Sequence, residues 1–218
     1  MNKRLILWCG LLFAMAIIVF AMFQIADKED EITEAIRPEI LIDVPEILDV
    51  REKDWIKGNP NADVVIVKYS DFQCPACRFY AGWDNMLSDE FSEDVVFVVR
   101  YFPLRSFQNS RLAAQYTEAA GRQGQFWEMH DLMYINQVDW SGNNAETIFR
   151  QYAESLKLDM DKLSKDVQNP EITERIENDY NDGIGLGIRG VPSIYINGEE
   201  IRLPNSLDAY RNLIEMYL

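Results

Sequence analysis

Cysteine is scarce in this chain: three residues in 218, Cys9, Cys74 and Cys77. Cys9 lies in an apolar N-terminal run, so the rest of the chain holds one pair and cannot rest on a disulfide framework. Histidine is scarcer still, with His130 alone. Structural zinc takes four protein ligands. Cys74 and Cys77 are half such a set, and only two copies of the chain would complete it, so no metal is expected. Basic residues are also few, 21 Lys and Arg against 36 Asp and Glu, for a formal charge of −15. That balance argues against nucleic acid and anionic lipid surfaces as partners, and it favours solubility. The chain has no repeat and no low-complexity tract.

Charge is missing over one long stretch. From Leu5 to Ala26 the only polar side chain is Gln24. At about 1.5 Å per residue this run spans roughly 33 Å, enough for one bilayer crossing. The rival is a secretory signal peptide, whose apolar core is usually about 7–15 residues; Val19 and Ala21 before Met22 would be its weak cleavage site. The run length favours an uncleaved anchor. Lys3 and Arg4 precede it and an acidic stretch from Asp27 follows, so the bulk of the chain is expected on the extracytoplasmic side. The expected organisation is a cytoplasmic tip (1–4), a transmembrane helix (5–26), an acidic linker (27–57) and a folded domain (58–218). Within the linker, Ile40–Ile42 or Ile47–Leu48 could add an edge strand or pack on the domain.

Cys74-Pro75-Ala76-Cys77 follows the apolar run Val64–Tyr69, read as a strand, and opens a helical segment, Arg78–Glu90. Cysteines so spaced can close a small disulfide ring. At a helix start the first sulfur meets unpaired backbone N–H groups and the positive end of the helix dipole. Both favour thiolate, the nucleophile of disulfide exchange. Pro75 suits the first helical position. The pattern predicts Cys74 as an exposed N-cap and Cys77 as buried one turn inside. A purely structural disulfide is the plainer reading; the strand–turn–helix setting favours a redox pair.

Val95–Pro103 reads as a second strand, apolar enough for burial on both faces and stopped by Pro103. Residues 109–188 show helical spacing over Ser110–Arg122, Phe126–Asn136, Asn144–Leu158, Asp161–Val167 and Glu171–Tyr180. The glycines from Gly183 to Gly190 read as a loop or frayed helix end. Ser193–Ile196 is a third strand. Asn197-Gly198 signals a hairpin into a strand Glu200–Leu203, and a helix Ser206–Leu218 closes the chain. The order predicts an α/β fold with a mixed sheet.

With Ser70–Cys77, Arg100–Leu104, Phe126–Leu132 and Gly190–Gly198 in place, the chain resembles the DsbA-like thiol-disulfide oxidoreductases from about Gly58 onward. The resemblance implies a thioredoxin fold with a helical insertion at about 109–188, and no organic cofactor or metal. It implies a cis bond between Val191 and Pro192, facing the cysteines, in a loop that pairs with an extended substrate segment. Two positions depart from the family's habit. Lys68 stands where members often carry a carboxylate six residues before the first cysteine, and Ala76 stands where they often have His or a large residue. Asp71 is a candidate substitute acid or else a turn cap. Lys68 either snorkels to solvent or points beneath Cys77. His130, beside Phe126 and Trp127, reads as structural.

The expected activity is an extracytoplasmic thiol-disulfide oxidoreductase that introduces disulfides into exported proteins, with Cys74 and Cys77 as the catalytic pair. A separate membrane redox partner would reoxidise it. The alternatives are an anchored reductase or isomerase, since direction depends on potential, and a peptide-binding chaperone on a thioredoxin scaffold.

Overall fold

The computed structural model describes residues 46–218. The tip 1–4, the anchor 5–26 and most of the linker lie outside the described residues. Among the described residues no helix is long and apolar enough to cross a membrane.

Five strands form one mixed sheet: β1 (Trp55–Gly58), β2 (Val64–Ser70), β3 (Val95–Tyr101), β4 (Ser193–Ile196) and β5 (Glu199–Glu200), in the order β1-β3-β2-β4-β5. β2 and β3 pair in parallel, across the connection made by α1 (Pro75–Glu90); the other pairs are antiparallel. Every residue of β3 is buried and all but one of β2, as two β-branched runs covered on both faces require. Alternation along β2 sorts its side chains. Val64 and Ile66 pack with Leu87 and Phe91 around α1 and with Tyr210 and Ile214 of the last helix, α8 (Leu207–Glu215). Val67 and Tyr69 point the other way, to Phe102, Ile188 and Tyr195.

Between β3 and β4 runs the expected helical insertion: α2 (Ser110–Gly121), α3 (Phe126–Ile135), α4 (Gln137–Trp140), α5 (Ala145–Ser155), α6 (Met160–Val167) and α7 (Pro170–Gly185). Its core, around Met129, Met133, Trp140 and Phe149, is continuous with Cys74 and Cys77. Asp159, Asn169 and Ser206 cap α6, α7 and α8 by accepting first-turn N–H bonds.

The structure differs from the sequence reading at four places. The domain takes up the end of the expected 27–57 linker: a 3₁₀ turn (Glu46–Leu48) packs Leu48 on the domain, as the reading of Ile47–Leu48 allowed, and an unexpected edge strand, β1, pairs with β3. The cause is Arg100 of β3, fully buried. It pairs with Asp54 at 2.8 Å and donates to the carbonyls of Ile47 and Asp49, so the segment before Gly58 must close over it. The strand expected over Glu200–Leu203 shortens to Glu199–Glu200, although the hairpin turn holds, with Asn197 and Gly198 both at positive φ. Helix α4 falls wholly within the polar break that the sequence leaves between Asn136 and Asn144. Finally, α7 runs to Gly185, past Tyr180. Gly183 is there for packing: a Cβ would lie 2.6 Å from the Phe102 ring. The helix stops at Gly187 (φ +79), where Ile188 N–H reaches Gly183 O and Gly187 N–H reaches Ile184 O, a Schellman closure.

Candidate active site

Cys74 is the N-cap of α1, with extended backbone (φ −77, ψ 122) and Pro75 in the first turn behind it. Cys77 follows inside that turn. Both thiols are free. Cys74 keeps 7% of its surface, Cys77 none. The expected exposure of Cys74 is therefore corrected: it is buried against the core of the insertion and against Val191.

The two sulfurs titrate far apart. The Cys77 thiol donates to Cys74 Sγ, and the Ala76 and Cys77 N–H groups point at the same sulfur. These donors lower the Cys74 pKa from 9.0 to about 6, against opposition from burial and from the Asp71 carboxylate. Burial pushes Cys77 well up, and the adjacent Cys74 sulfur adds to the rise. Near neutral pH the pair is thus one thiolate, held by one thiol.

The Val191–Pro192 bond is cis. Cys74 Sγ lies 3.5 Å from the Val191 carbonyl oxygen, to which it donates when protonated. The loop named by the resemblance therefore sits directly against the Cys74 sulfur.

Asp71 is buried in the turn before the cysteines. Its carboxylate accepts from Gln73 N–H at 2.7 Å, Leu104 N–H at 2.7 Å and the Ser110 hydroxyl at 2.6 Å, and its own N–H lies 3.5 Å from Cys77 Sγ. Burial raises its pKa despite these bonds. The geometry is that of a turn cap that ties the cysteine loop to the start of α2. Lys68 does neither of the things expected of it. It is 3% exposed, so it does not snorkel, and it forms an ion pair with Asp84 of α1. Lys68 shares the α1-facing side of β2 with Val64 and Ile66, which aims it at that carboxylate, two turns beyond Cys77. His130 is buried among Phe72, Phe126, Trp127 and Tyr134. Its Nδ1 donates to Asp131 at 2.8 Å, and burial lowers its pKa, so it is a neutral packing residue away from the sulfurs.

Three supports were missed in the sequence. Gln137 of α4 donates from Nε2 to the carbonyls of Phe72 at 2.7 Å and Cys74 at 2.9 Å. Gln73 joins the Ser141 carbonyl to the Asn109 N–H. Ser70, the last residue of β2, meets the Tyr134 hydroxyl at 2.7 Å. The available signal was polar residues recurring beside the cysteines and at a helix break, which ordinarily marks solvent. Among the described residues no three His, Cys, Asp or Glu side chains converge to hold a metal.

A thioredoxin family model matches residues 51–216. The fold is similar to that of a thioredoxin-like oxidoreductase from Silicibacter pomeroyi (TM-score 0.68, 26% identity, 79% of this chain and 96% of that one). It is similar also to the thiol-disulfide exchange protein α-DsbA2 from Wolbachia pipientis (TM-score 0.70, 16% identity, 79% and 91%). Among curated sequences, a Na(+)/H(+) antiporter NhaA 1 of Mycolicibacterium gilvum is 31% identical over 158 residues, covering 70% of this chain and 25% of the antiporter. The chain spans about a quarter of the length of the curated relatives it matches. With the family model spanning its folded domain and a free dithiol at the N-terminus of α1, the chain belongs to the thioredoxin family.

Proposed function

We propose that the chain is a DsbA-like protein thiol-disulfide oxidoreductase that works in the oxidising direction, on exported cysteine-containing proteins, from an N-terminal membrane anchor at 5–26 with its domain on the extracytoplasmic side. The observation that carries the direction is the lowered pKa of Cys74, about 6. A group that stabilises the reduced pair makes the disulfide a stronger oxidant. The location rests on the charge flanking the apolar run, Lys3 and Arg4 before it and acid after it.

In the proposed cycle a substrate thiolate attacks Cys74 Sγ of the oxidised pair. The Cys74–Cys77 bond breaks, and its electron pair goes to Cys77. The substrate segment lies along Val191 and Pro192, where main-chain pairing tolerates many sequences. A second substrate thiolate then attacks the substrate sulfur of the mixed disulfide, leaves a disulfide in the substrate and releases Cys74 as thiolate. Two electrons have passed from substrate to enzyme; of the two protons that the substrate thiols give up, one ends on Cys77 and the other goes to solvent, because Cys74 is left as thiolate. A separate membrane redox partner takes the electrons away.

The deciding experiment is the glutathione equilibrium of the isolated domain, together with oxidation of a reduced, unfolded substrate by the disulfide form. A potential near those of strong protein oxidants, with stoichiometric substrate oxidation, supports the reading. A potential near that of thioredoxin would reverse the direction and favour the reductase. Substrate binding that survives loss of both cysteines would favour the chaperone.

A further inference from the structure

We infer that the edge of the sheet around the cysteines carries an arginine collar that draws in acidic polypeptide, so that the preferred substrates hold Asp or Glu beside the cysteine to be oxidised. The inference names a substrate class for the oxidation proposed above and rests on that reading.

The observation is one of placement. Four segments meet where β2 and β3 end and β4 begins. Residues 72–79 carry the cysteine turn. Residues 102–109 follow β3 and are tied to that turn twice, by the Leu104 N–H to the Asp71 carboxylate at 2.7 Å and by the Asn109 N–H to Gln73 Oε1 at 2.8 Å. Residues 186–193 hold Val191, whose carbonyl oxygen lies 3.5 Å from Cys74 Sγ. Residues 201–206 run back beside β4, with Ile201 N–H on the Ile194 carbonyl, and the Pro204 carbonyl accepts from the Tyr80 hydroxyl of α1 at 2.6 Å. The chain has 36 Asp and Glu, yet none of these four segments contains one. Each contains one arginine: Arg78, Arg105, Arg189 and Arg202. All four are exposed.

Their charges are also uncompensated. Among the described residues, Arg51, Arg100, Arg111, Arg122, Arg175 and Arg211 each pair with a carboxylate, and none of the four collar arginines does. Arg78 donates to the Ile135 carbonyl at 3.1 Å, a contact that leaves its charge in place. At the margins stand two exposed acids, Asp139 of α4 and Asp208 of α8, and Asp208 is engaged by Arg211 at 2.5 Å. Unpaired arginines scattered over a surface would be ordinary solvated residues. Here they fall on the four segments that meet at one dithiol, with acid excluded from all of them, in a chain of formal charge −15.

Such a field acts on the encounter. The acidic remainder of the surface repels an acidic segment, and the collar attracts it, so the segment is steered toward the sulfur. Arginine suits the task because it stays charged at any working pH and its planar fork meets a carboxylate with two bonds at once. Arg189 lies two residues from Val191, on the loop along which the substrate segment is proposed to pair, so carboxylates beside the substrate cysteine are the groups that it would meet.

The test uses the full-length disulfide form in neutral detergent and three dithiol peptides that differ only beside their cysteines, with Glu, Gln or Lys. At low ionic strength the Glu peptide should be oxidised about tenfold faster than the Gln peptide, and the Lys peptide more slowly than both. The ratio of Glu to Gln rates should fall toward one at about 1 M salt, where the Debye length is about 3 Å. Arg105→Gln, Arg189→Gln and Arg202→Gln combined should bring the ratio close to one even at low salt. Arg211→Gln, which removes a paired arginine on α8, should leave it at about tenfold. A ratio of two rates on one protein separates selection from any loss of fold or redox activity in the variant. Equal rates for the Glu and Gln peptides, or a preference that survives the triple variant, would overturn the collar. If the disulfide form oxidises none of the peptides, the oxidising direction fails by itself. The ratio is then read with the reduced protein on the cyclic disulfide peptides, where a Glu preference supports the collar and its absence overturns it.

Discussion

The division of labour between two identical side chains comes from one helical turn. Cys74, at the N-cap, collects the Cys77 thiol and two backbone N–H donors; Cys77, three residues on, collects burial. The Cys74 thiolate is expected to titrate with a midpoint about 6 in the reduced protein, followed by ultraviolet thiolate absorbance, and Cys77→Ala should accumulate mixed disulfides through Cys74. Trapping by Cys74→Ala instead would reverse the roles. The sign for stability follows. A folded pKa below the unfolded one stabilises the reduced form above the unfolded value, near pH 9, and that stability is lost as pH falls through about 6. Residue order was enough to read this much from the sequence. Lys68 was not legible in the same way. Alternation along β2 gave its face, but its partner Asp84 is one of several acids on α1, and only the packed helix shows which is buried. Breaking the pair by Lys68→Met should destabilise by about 3–5 kcal/mol, whereas Lys68→Met with Asp84→Leu should recover most of the loss. Neither should move the Cys74 midpoint, because nothing in the pair reaches that sulfur. A shift of the midpoint in the double variant would return Lys68 to the active site.

At the scale of elements, the strands were legible because β-branched runs announce them and Pro103 and Asn197-Gly198 punctuate them. The long insertion was legible as helices, but Gly183 misled: glycine marks a helix end in general, and here it makes room for Phe102 inside α7. The edge strand β1 was missed because four residues with a glycine carry little pattern; what brings it in is the buried Arg100 reaching for Asp54. Where α7 meets β3, Asp179 is buried and accepts from Tyr101 N–H at 3.2 Å, with Arg51 3.5 Å away. Burial outweighs these contacts and the nearby Arg175 and Arg100, and lifts its pKa from 3.8 to about 6. The sign is opposite to that of Cys74. A raised carboxyl contributes stability at low pH and loses it as pH rises through about 6, so the ionised group is a cost at pH 8. Asp179→Asn, which keeps an acceptor for Tyr101, should raise the melting temperature at pH 8 and leave it nearly unchanged at pH 4. Equal effects at both values would mean that the carboxyl's charge is already compensated.

Across the whole domain, the helical insertion does more than cover the sheet. Its core runs without a break into the cysteine turn, and its shortest helix, α4, holds that turn by a single side chain. Gln137 sits 3% exposed and donates to two loop carbonyls at once, those of Phe72 and Cys74. One amide nitrogen thus fixes the backbone on which Cys74 stands, from an element about sixty residues away in sequence. Such a contact is invisible to periodicity, because it belongs to no face of a regular helix and its partners are main-chain atoms. Gln137→Leu keeps the approximate volume and removes both donors. Two buried carbonyls would then lack partners, a cost of about 1–3 kcal/mol each if no water replaces the amide. The turn should loosen before the fold does: amide exchange at residues 72–77 should speed up while far-ultraviolet circular dichroism stays the same. Because the N–H groups of Ala76 and Cys77 hold the Cys74 thiolate only when the turn is in place, its midpoint should move up from about 6. A destabilised Gln137→Leu variant with an unshifted midpoint would mean that the insertion steadies the domain without tuning the sulfur.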